Sequence, residues 1–154
     1  MVGKGDLRIN SSMASNQAGN QMQINKVLLV DDDLAISKVA AVCLQKVGKW
    51  EVAIAASGQD ALKLAQSFDP DLIVLDVLMP EMDGFEVLSR LREIETVKAI
   101  PVIFMTSLAQ ARDLTKCMSW GAKGVIPKPF NPMILPMQIQ AILDTSENNA
   151  RESA

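Results

Sequence analysis

The sequence predicts a doubly wound α/β domain built on a five-stranded parallel sheet, and three observations carry that prediction. Five short apolar runs rich in Val, Ile and Leu alternate with five stretches of helical period. The runs are close to continuously apolar rather than alternating apolar and polar, as expected of strands covered on both faces. The third observation is one of position. The runs end on carboxylates, hydroxyls and a lysine, and sheets of this class bind ligands at the carboxyl ends of their strands.

The elements follow in order. Lys26–Val30 (KVLLV) is the first strand, and Leu34 to Val47 a helix that stops at Gly48, with Asp33 placed to cap it. Glu51–Ala56 is the second strand. Ser57-Gly-Gln-Asp60 resembles a capping box and opens a helix to about Ser67. Asp71–Asp76 (DLIVLD) is the third strand, followed by a helix over Gly84–Arg92. Pro101–Thr106 (PVIFMT) is the fourth, followed by a helix over Ala109–Met118. Gly124–Ile126 is a short fifth strand. A last helix runs from about Leu135 to Leu143, with Pro136 in its first turn, where a missing N–H costs nothing. Each strand–helix–strand unit is expected to cross over right-handed.

Around this core, residues 1–24 are polar, Gly/Ser/Asn/Gln-rich and without apolar period. They read as a disordered arm, partly an expression remnant, and 145–154 as a disordered tail, leaving 25–144 as the folded domain. Apolar residues at 49% and charged residues at 21% suit one globular domain with a full core, and no run reaches the length of a membrane span. The arm has no secretory h-region, so a cytoplasmic location is expected. The formal net charge of −3 and the lack of a basic cluster argue against nucleic acid as a partner. The two cysteines, Cys43 and Cys117, fall in expected helices and read as free thiols. There is no histidine, which removes His acid–base chemistry, His metal ligation and a phosphohistidine-carrier role.

At the strand ends the first run delivers Asp31, Asp32 and Asp33, the third Asp76, the fourth Thr106 and Ser107, and the fifth leads into Lys128-Pro129-Phe130. Each piece has an ordinary reading on its own: a solvated turn, a helix cap, a lysine before a turn. Their convergence on one crevice is the stronger observation. Carboxylates gathered there repel unless a cation is present, and a hard ion such as Mg²⁺ takes carboxylate oxygens, a backbone carbonyl and waters. An aspartate so neutralised can act as a nucleophile towards a phosphoryl group, with Lys128 and Thr106 facing the transferred charge.

The motifs VLLVDDD at 27–33, LIVLDVLMPEMDG at 72–84, IFMTS at 103–107 and GVIPKPF at 124–130 strongly resemble the receiver domains of two-component response regulators, from about Asn25 to Asp144. That resemblance implies the flavodoxin-like sheet order 2-1-3-4-5. It implies Asp76 as phosphoacceptor, supplied from a phosphohistidine on a histidine kinase or phosphotransfer protein. Asp32 would be a direct Mg²⁺ ligand, Asp31 a water-mediated one, and the Leu78 carbonyl and Asp76 further ligands. Thr106 would supply the hydroxyl that follows the phosphate, and Lys128 the conserved-type lysine before a cis Pro129. Met79-Pro80 and Asp83-Gly84 would shape the pocket floor. The chain would signal by phosphorylation-controlled protein contacts with an unidentified target, not as a turnover enzyme, with homodimerisation left open.

Two departures from the family pattern stand out. Val125 occupies a position often aromatic, so the rearrangement on phosphorylation is expected at Thr106 and the loop after the fourth strand. Leu78 and Leu108, two past Asp76 and Thr106, are apolar and ill-suited to orienting a hydrolytic water. A long-lived phosphoryl state is expected, which Leu108→Glu should shorten. A flavin-binding reading fails because three aspartates replace the phosphate-binding loop. An aspartyl phosphatase would carry a second acid two residues after Asp76, where Leu78 stands.

Overall fold

The computed structural model describes residues 23–107 and 111–153. Five strands, β1 (Lys26–Val30), β2 (Glu51–Ala55), β3 (Leu72–Asp76), β4 (Val102–Thr106) and β5 (Gly124–Pro127), form one parallel sheet in the order β2-β1-β3-β4-β5. Five helices connect and cover them: α1 (Leu34–Lys46), α2 (Gly58–Ser67), α3 (Gly84–Leu91), α4 (Ala111–Ser119) and α5 (Leu135–Ser153). The doubly wound α/β prediction and its sheet order are both found.

The period of two along each strand divides the core cleanly. Leu28, Val30, Ile73, Leu75, Val102 and Phe104 pack with Ala61 and Ala65 of α2, Phe85, Leu88 and Leu91 of α3, and Cys117 of α4. Their neighbours Val27, Leu29, Leu72, Val74, Ile103 and Met105 pack on the other face with Ala40 and Leu44 of α1 and Leu135, Ile139 and Leu143 of α5. Removing each such large side chain from water contributes about 1.5–3 kcal/mol, so the strands are held from both sides.

Three helices start where side chains satisfy their open N–H groups. Asp33 accepts from the N–H of Ala35 and Ile36, Ser57 from that of Asp60, and Asp83 from that of Glu86. Three expectations need correction. Ile24, assigned to the arm, is buried in the core. The final helix, expected to stop near Leu143, continues to Ser153, so residues 145–153 are helical rather than a disordered tail. The reason is local: this stretch holds neither Gly nor Pro, and nothing in it breaks a helix already anchored by Leu135, Ile139 and Leu143. Thirdly, residues 93–100, given no element, form successive hydrogen-bonded turns that bury Val97. The expected arm up to residue 22 lies outside the described residues.

Candidate functional site

Strand pleating places the key groups before any interaction is considered. Asp31 continues the row of Val27 and Leu29, Asp76 the row of Leu72 and Val74, and Lys128 lies two residues past Ile126. All three rows face α1 and α5. The registry Val30↔Leu75 and Leu75↔Phe104 keeps the strand ends level, so the side chains that follow meet at one edge.

There the Lys128 ammonium donates to Asp31 Oδ2 at 2.6 Å and to Asp76 Oδ2 at 3.1 Å, bridging two carboxylates. Asp31 has no exposed surface and Asp76 is 4% exposed. The remaining oxygens are also engaged: Asp31 Oδ1 accepts the Asp33 N–H at 2.9 Å, and Asp76 Oδ1 accepts the Leu78 N–H at 3.2 Å. Thr106 is fully buried, and its carbonyl accepts the Lys128 N–H at 2.8 Å, tying the lysine's backbone to the end of β4. The Lys128–Pro129 bond is cis, as expected.

The charges do not balance. Burial pushes the Asp76 carboxyl above its ordinary value, nearby Asp31 adds to the rise, and the bond and charge of Lys128 with the Leu78 N–H fail to cancel it. Burial works to lower Lys128, but its hydrogen bonds to Asp31 and Asp76 and their charges outweigh it and hold the ammonium protonated.

Asp31, Asp32 and Asp76 offer carboxylate oxygens that all lie within 4.8 Å of one another, with Asp32 exposed. Such a set of hard oxygen donors, with one lysine against three carboxylates, fits a divalent cation of the Mg²⁺ type and suits soft metals poorly. The acidic pocket can hold a metal.

The rim has two characters. On one side the loop after β3 returns closely: the Gly84 N–H donates to the Val77 carbonyl at 2.8 Å, and a Cβ on Gly84 would lie 2.4 Å from the Asp76 carbonyl oxygen, so only glycine fits there. On the other, a cleft of about 520 Å³ runs between α1 and the loop after β5, walled by Ala35, Ile36, Val39, Pro129, Phe130 and Pro132 and reaching Lys128 and Ser107.

Every site residue expected from sequence within the described region gathers here: Asp31, Asp32, Asp76, Leu78, Thr106 and Lys128. Leu108 lies outside the described residues. Sequence reasoning missed Ser37, a fully buried hydroxyl whose oxygen donates to the Asp31 carbonyl at 3.5 Å. Its signal was a polar residue in the buried row of α1, beside Ala40, Ala41 and Leu44.

Residues 27–140 match the response regulator receiver domain family. A probable transcriptional regulator, ycf27 of Cyanophora paradoxa, is 38% identical over 129 residues, covering 82% of this chain and 52% of that protein. The alkaline phosphatase synthesis transcriptional regulatory protein PhoP of Bacillus subtilis is 36% identical over 128 residues, covering 83% and 52% respectively. The chain spans about half the length of the curated relatives it matches. Among solved structures, the chemotaxis response regulator CheY4 of Vibrio cholerae superposes with a TM-score of 0.71 at 36% identity, over 79% of this chain and 100% of that one. The BeF3-activated DrrB receiver domain gives 0.67 at 30%, over 79% and 99%.

Proposed function

This chain belongs to the response regulator receiver family, and on that premise we propose that Asp76 is its phosphoacceptor, with Asp31, Asp32, Asp76 and the Leu78 carbonyl holding Mg²⁺. The observation that carries the reading is the lysine bridge: one buried ammonium shared between Asp31 and Asp76 at the carboxyl ends of the strands. A structural ion pair needs one carboxylate. Two carboxylates around one lysine, with a third beside them, leave negative charge that only a bound cation or a proton relieves.

In the transfer step an Asp76 carboxylate oxygen attacks the phosphorus of a phosphohistidine on a histidine kinase or phosphotransfer protein. The phosphorus–nitrogen bond breaks, and the imidazole leaves with the bond's electron pair. Lys128 reaches the Asp76 carboxylate already, so it is placed to pair with the oxygens of the arriving group, and the Thr106 hydroxyl to hydrogen-bond to it. A bound Mg²⁺ supplies neutralisation of the carboxylates and of the transferred charge. Asp31 and Asp32 orient on one side, and the apolar cleft beside Lys128 excludes water on the other.

The domain then signals through protein contacts that change on phosphorylation rather than by turning over a substrate. No described helix is long and apolar enough to cross a membrane, and a cytoplasmic setting suits a kinase-fed domain. The net charge of −3 speaks against direct nucleic-acid contact by this domain. The test is intact mass after incubation with a small-molecule phosphodonor, with and without Mg²⁺, beside Asp76→Asn. One phosphoryl group gained only with both Mg²⁺ and Asp76 is the expected result. No gain under any condition would leave a docking module in its place.

A further inference from the structure

We propose that the cleft between α1 and the loop after β5 is a leaving-group pocket, which selects as small-molecule phosphodonors those acyl phosphates whose acyl group is an apolar chain. The proposal rests on Asp76 being the phosphoacceptor and names a class of donor that the fold favours.

At about 520 Å³ the cleft has room for a small organic molecule. Its walls are Ala35, Ile36 and Val39 from α1 and Pro129, Phe130 and Pro132 from the loop, and the polar side chains that line it are Lys128 and Ser107. One exposed valine is ordinary on a protein surface, but a concave wall of hydrocarbon closed by an ammonium is not. The loop side is preformed. Its prolines hold their backbone φ, and Asn131 accepts the Met133 N–H on its side chain at 3.0 Å and the Ile134 N–H on its carbonyl at 3.1 Å. A ligand seated there has little of this wall left to order.

Lys128 links the cleft to the chemistry. It lines the cleft, and its ammonium lies 3.1 Å from Asp76 Oδ2 and 2.6 Å from Asp31 Oδ2. The cleft therefore opens beside the carboxylate cluster. Asp31, Asp32 and Asp76 repel an anionic donor, and the ammonium between two of them is already shared. Burying an apolar chain in the cleft supplies binding that these charges do not. In the transfer an Asp76 oxygen forms a bond to phosphorus as the bond from phosphorus to the acyl oxygen breaks. The acyl carboxylate leaves with the electron pair, no proton moves, and its chain stays against the cleft wall.

The experiment measures initial rates of phosphorylation by intact mass, with Mg²⁺ and with acetyl, butyryl or hexanoyl phosphate well below saturation. The three carboxylate leaving groups are of nearly equal basicity, so their ratios read contact with the protein rather than donor reactivity. The expected result is a rate about fivefold or more higher for each pair of methylenes added to the chain. Val39→Asn, which makes the wall polar at a side chain 52% exposed, should bring the ratios close to one. Val42→Asn changes an equally exposed α1 valine, 47%, that does not line the cleft, and should keep them. Ratios within one protein cancel any effect on Asp76 or Mg²⁺ common to the three donors. Equal rates from all three donors in wild type would leave the cleft to a protein surface and overturn the proposal, as would ratios kept by Val39→Asn or lost equally in Val42→Asn. Failure of wild type to gain a phosphoryl group from any donor would instead overturn the phosphoacceptor reading beneath it.

Discussion

Strand β3 is framed by two aspartates five residues apart, and they are used in opposite ways. Asp71, just before the strand, accepts the N–H groups of Asn25 and Lys26, both at 2.9 Å, and so fastens the start of β1 to the start of β3. Asp76, the strand's last residue, has one backbone N–H, a lysine shared with a second carboxylate, and almost no solvent. The first carboxylate is satisfied by backbone donors and finishes a joint. The second is held in a dry pocket with its charge partly unanswered, which is the condition for taking up a cation and a phosphoryl group. What separates structure from function here is not the residue type but burial and the kind of donor: Asp71 is half-buried with two backbone N–H groups to itself, whereas Asp76 is buried and shares its one charged donor with Asp31.

The widest separation between the two should come from Asp76→Asn, which removes the proposed phosphoacceptor. Complete loss of phosphoryl uptake from a small-molecule donor is expected, whereas Asp71→Asn should be phosphorylated as wild type is. Equal uptake by the two variants, seen by intact mass, would dissolve the contrast. Next in size is Lys128→Met. Taking away the ammonium that Asp31 and Asp76 share should slow phosphorylation about 10²-fold, the scale seen when one preorganised charge partner of a transition state is lost. A rate unchanged in stopped or timed mass measurements would show that the bridge is only an ion pair.

At the joint the effect should appear in stability and not in chemistry. Asp71→Ala leaves the Asn25 and Lys26 N–H groups without their acceptor, which costs about 1–2 kcal/mol. Chemical denaturation should show that loss while the extent of phosphorylation stays at the wild-type level.

The stability contributed at Asp76 should depend on pH. Its carboxyl is raised by burial above the ordinary value of 3.8, so the folded metal-free protein holds that proton more tightly than the unfolded chain does. The stability this contributes is present below 3.8 and is lost as pH rises through the folded value. Asp76→Asn should therefore unfold at a higher temperature than wild type at neutral pH without Mg²⁺, and the gap should close as pH falls. Added Mg²⁺ should stabilise wild type more than the variant. A variant that is less stable than wild type at neutral pH would mean that Lys128 more than answers the charge.

Much of this was legible because the chemistry and the folding signals coincide in sequence. Each site residue follows an apolar strand, and the strand period alone puts Asp31 and Asp76 on the face shared with α1 and α5. The caps Asp33, Ser57 and Asp83 are local signals and appear where expected for the first two. What was not legible depends on partners distant in sequence. Ile24 looks like part of a polar arm until β1 carries it into the core beside Trp50 and Val52. The extension of α5 past Leu143 has no apolar period of its own and is read only from the absence of a breaker. Gly84 was seen as a loop glycine, but that its missing Cβ lets the chain pass against the Asp76 carbonyl follows only from packing.

The smallest effect expected isolates exposure from chemistry. Arg90 and Glu86, one turn apart on α3, meet at 3.3 Å with side chains that are half exposed. Lys128 and Asp76 meet at nearly the same distance, 3.1 Å, with side chains 16% and 5% exposed. In water the Coulomb attraction of the exterior pair is offset by hydration and by the freedom both side chains lose, so Glu86→Gln should change stability by no more than about 0.5 kcal/mol. The same neutralisation made at Asp76 should depend on pH and on Mg²⁺, because there the solvent that would screen the charge has been replaced by Asp31, Leu78 and the strand ends. Thermal midpoints for Glu86→Gln measured with and without Mg²⁺ should be parallel to wild type. A Mg²⁺-dependent difference in that variant would place part of the site's electrostatics on α3, where the capping carboxylate of Asp83 would be the next residue to change.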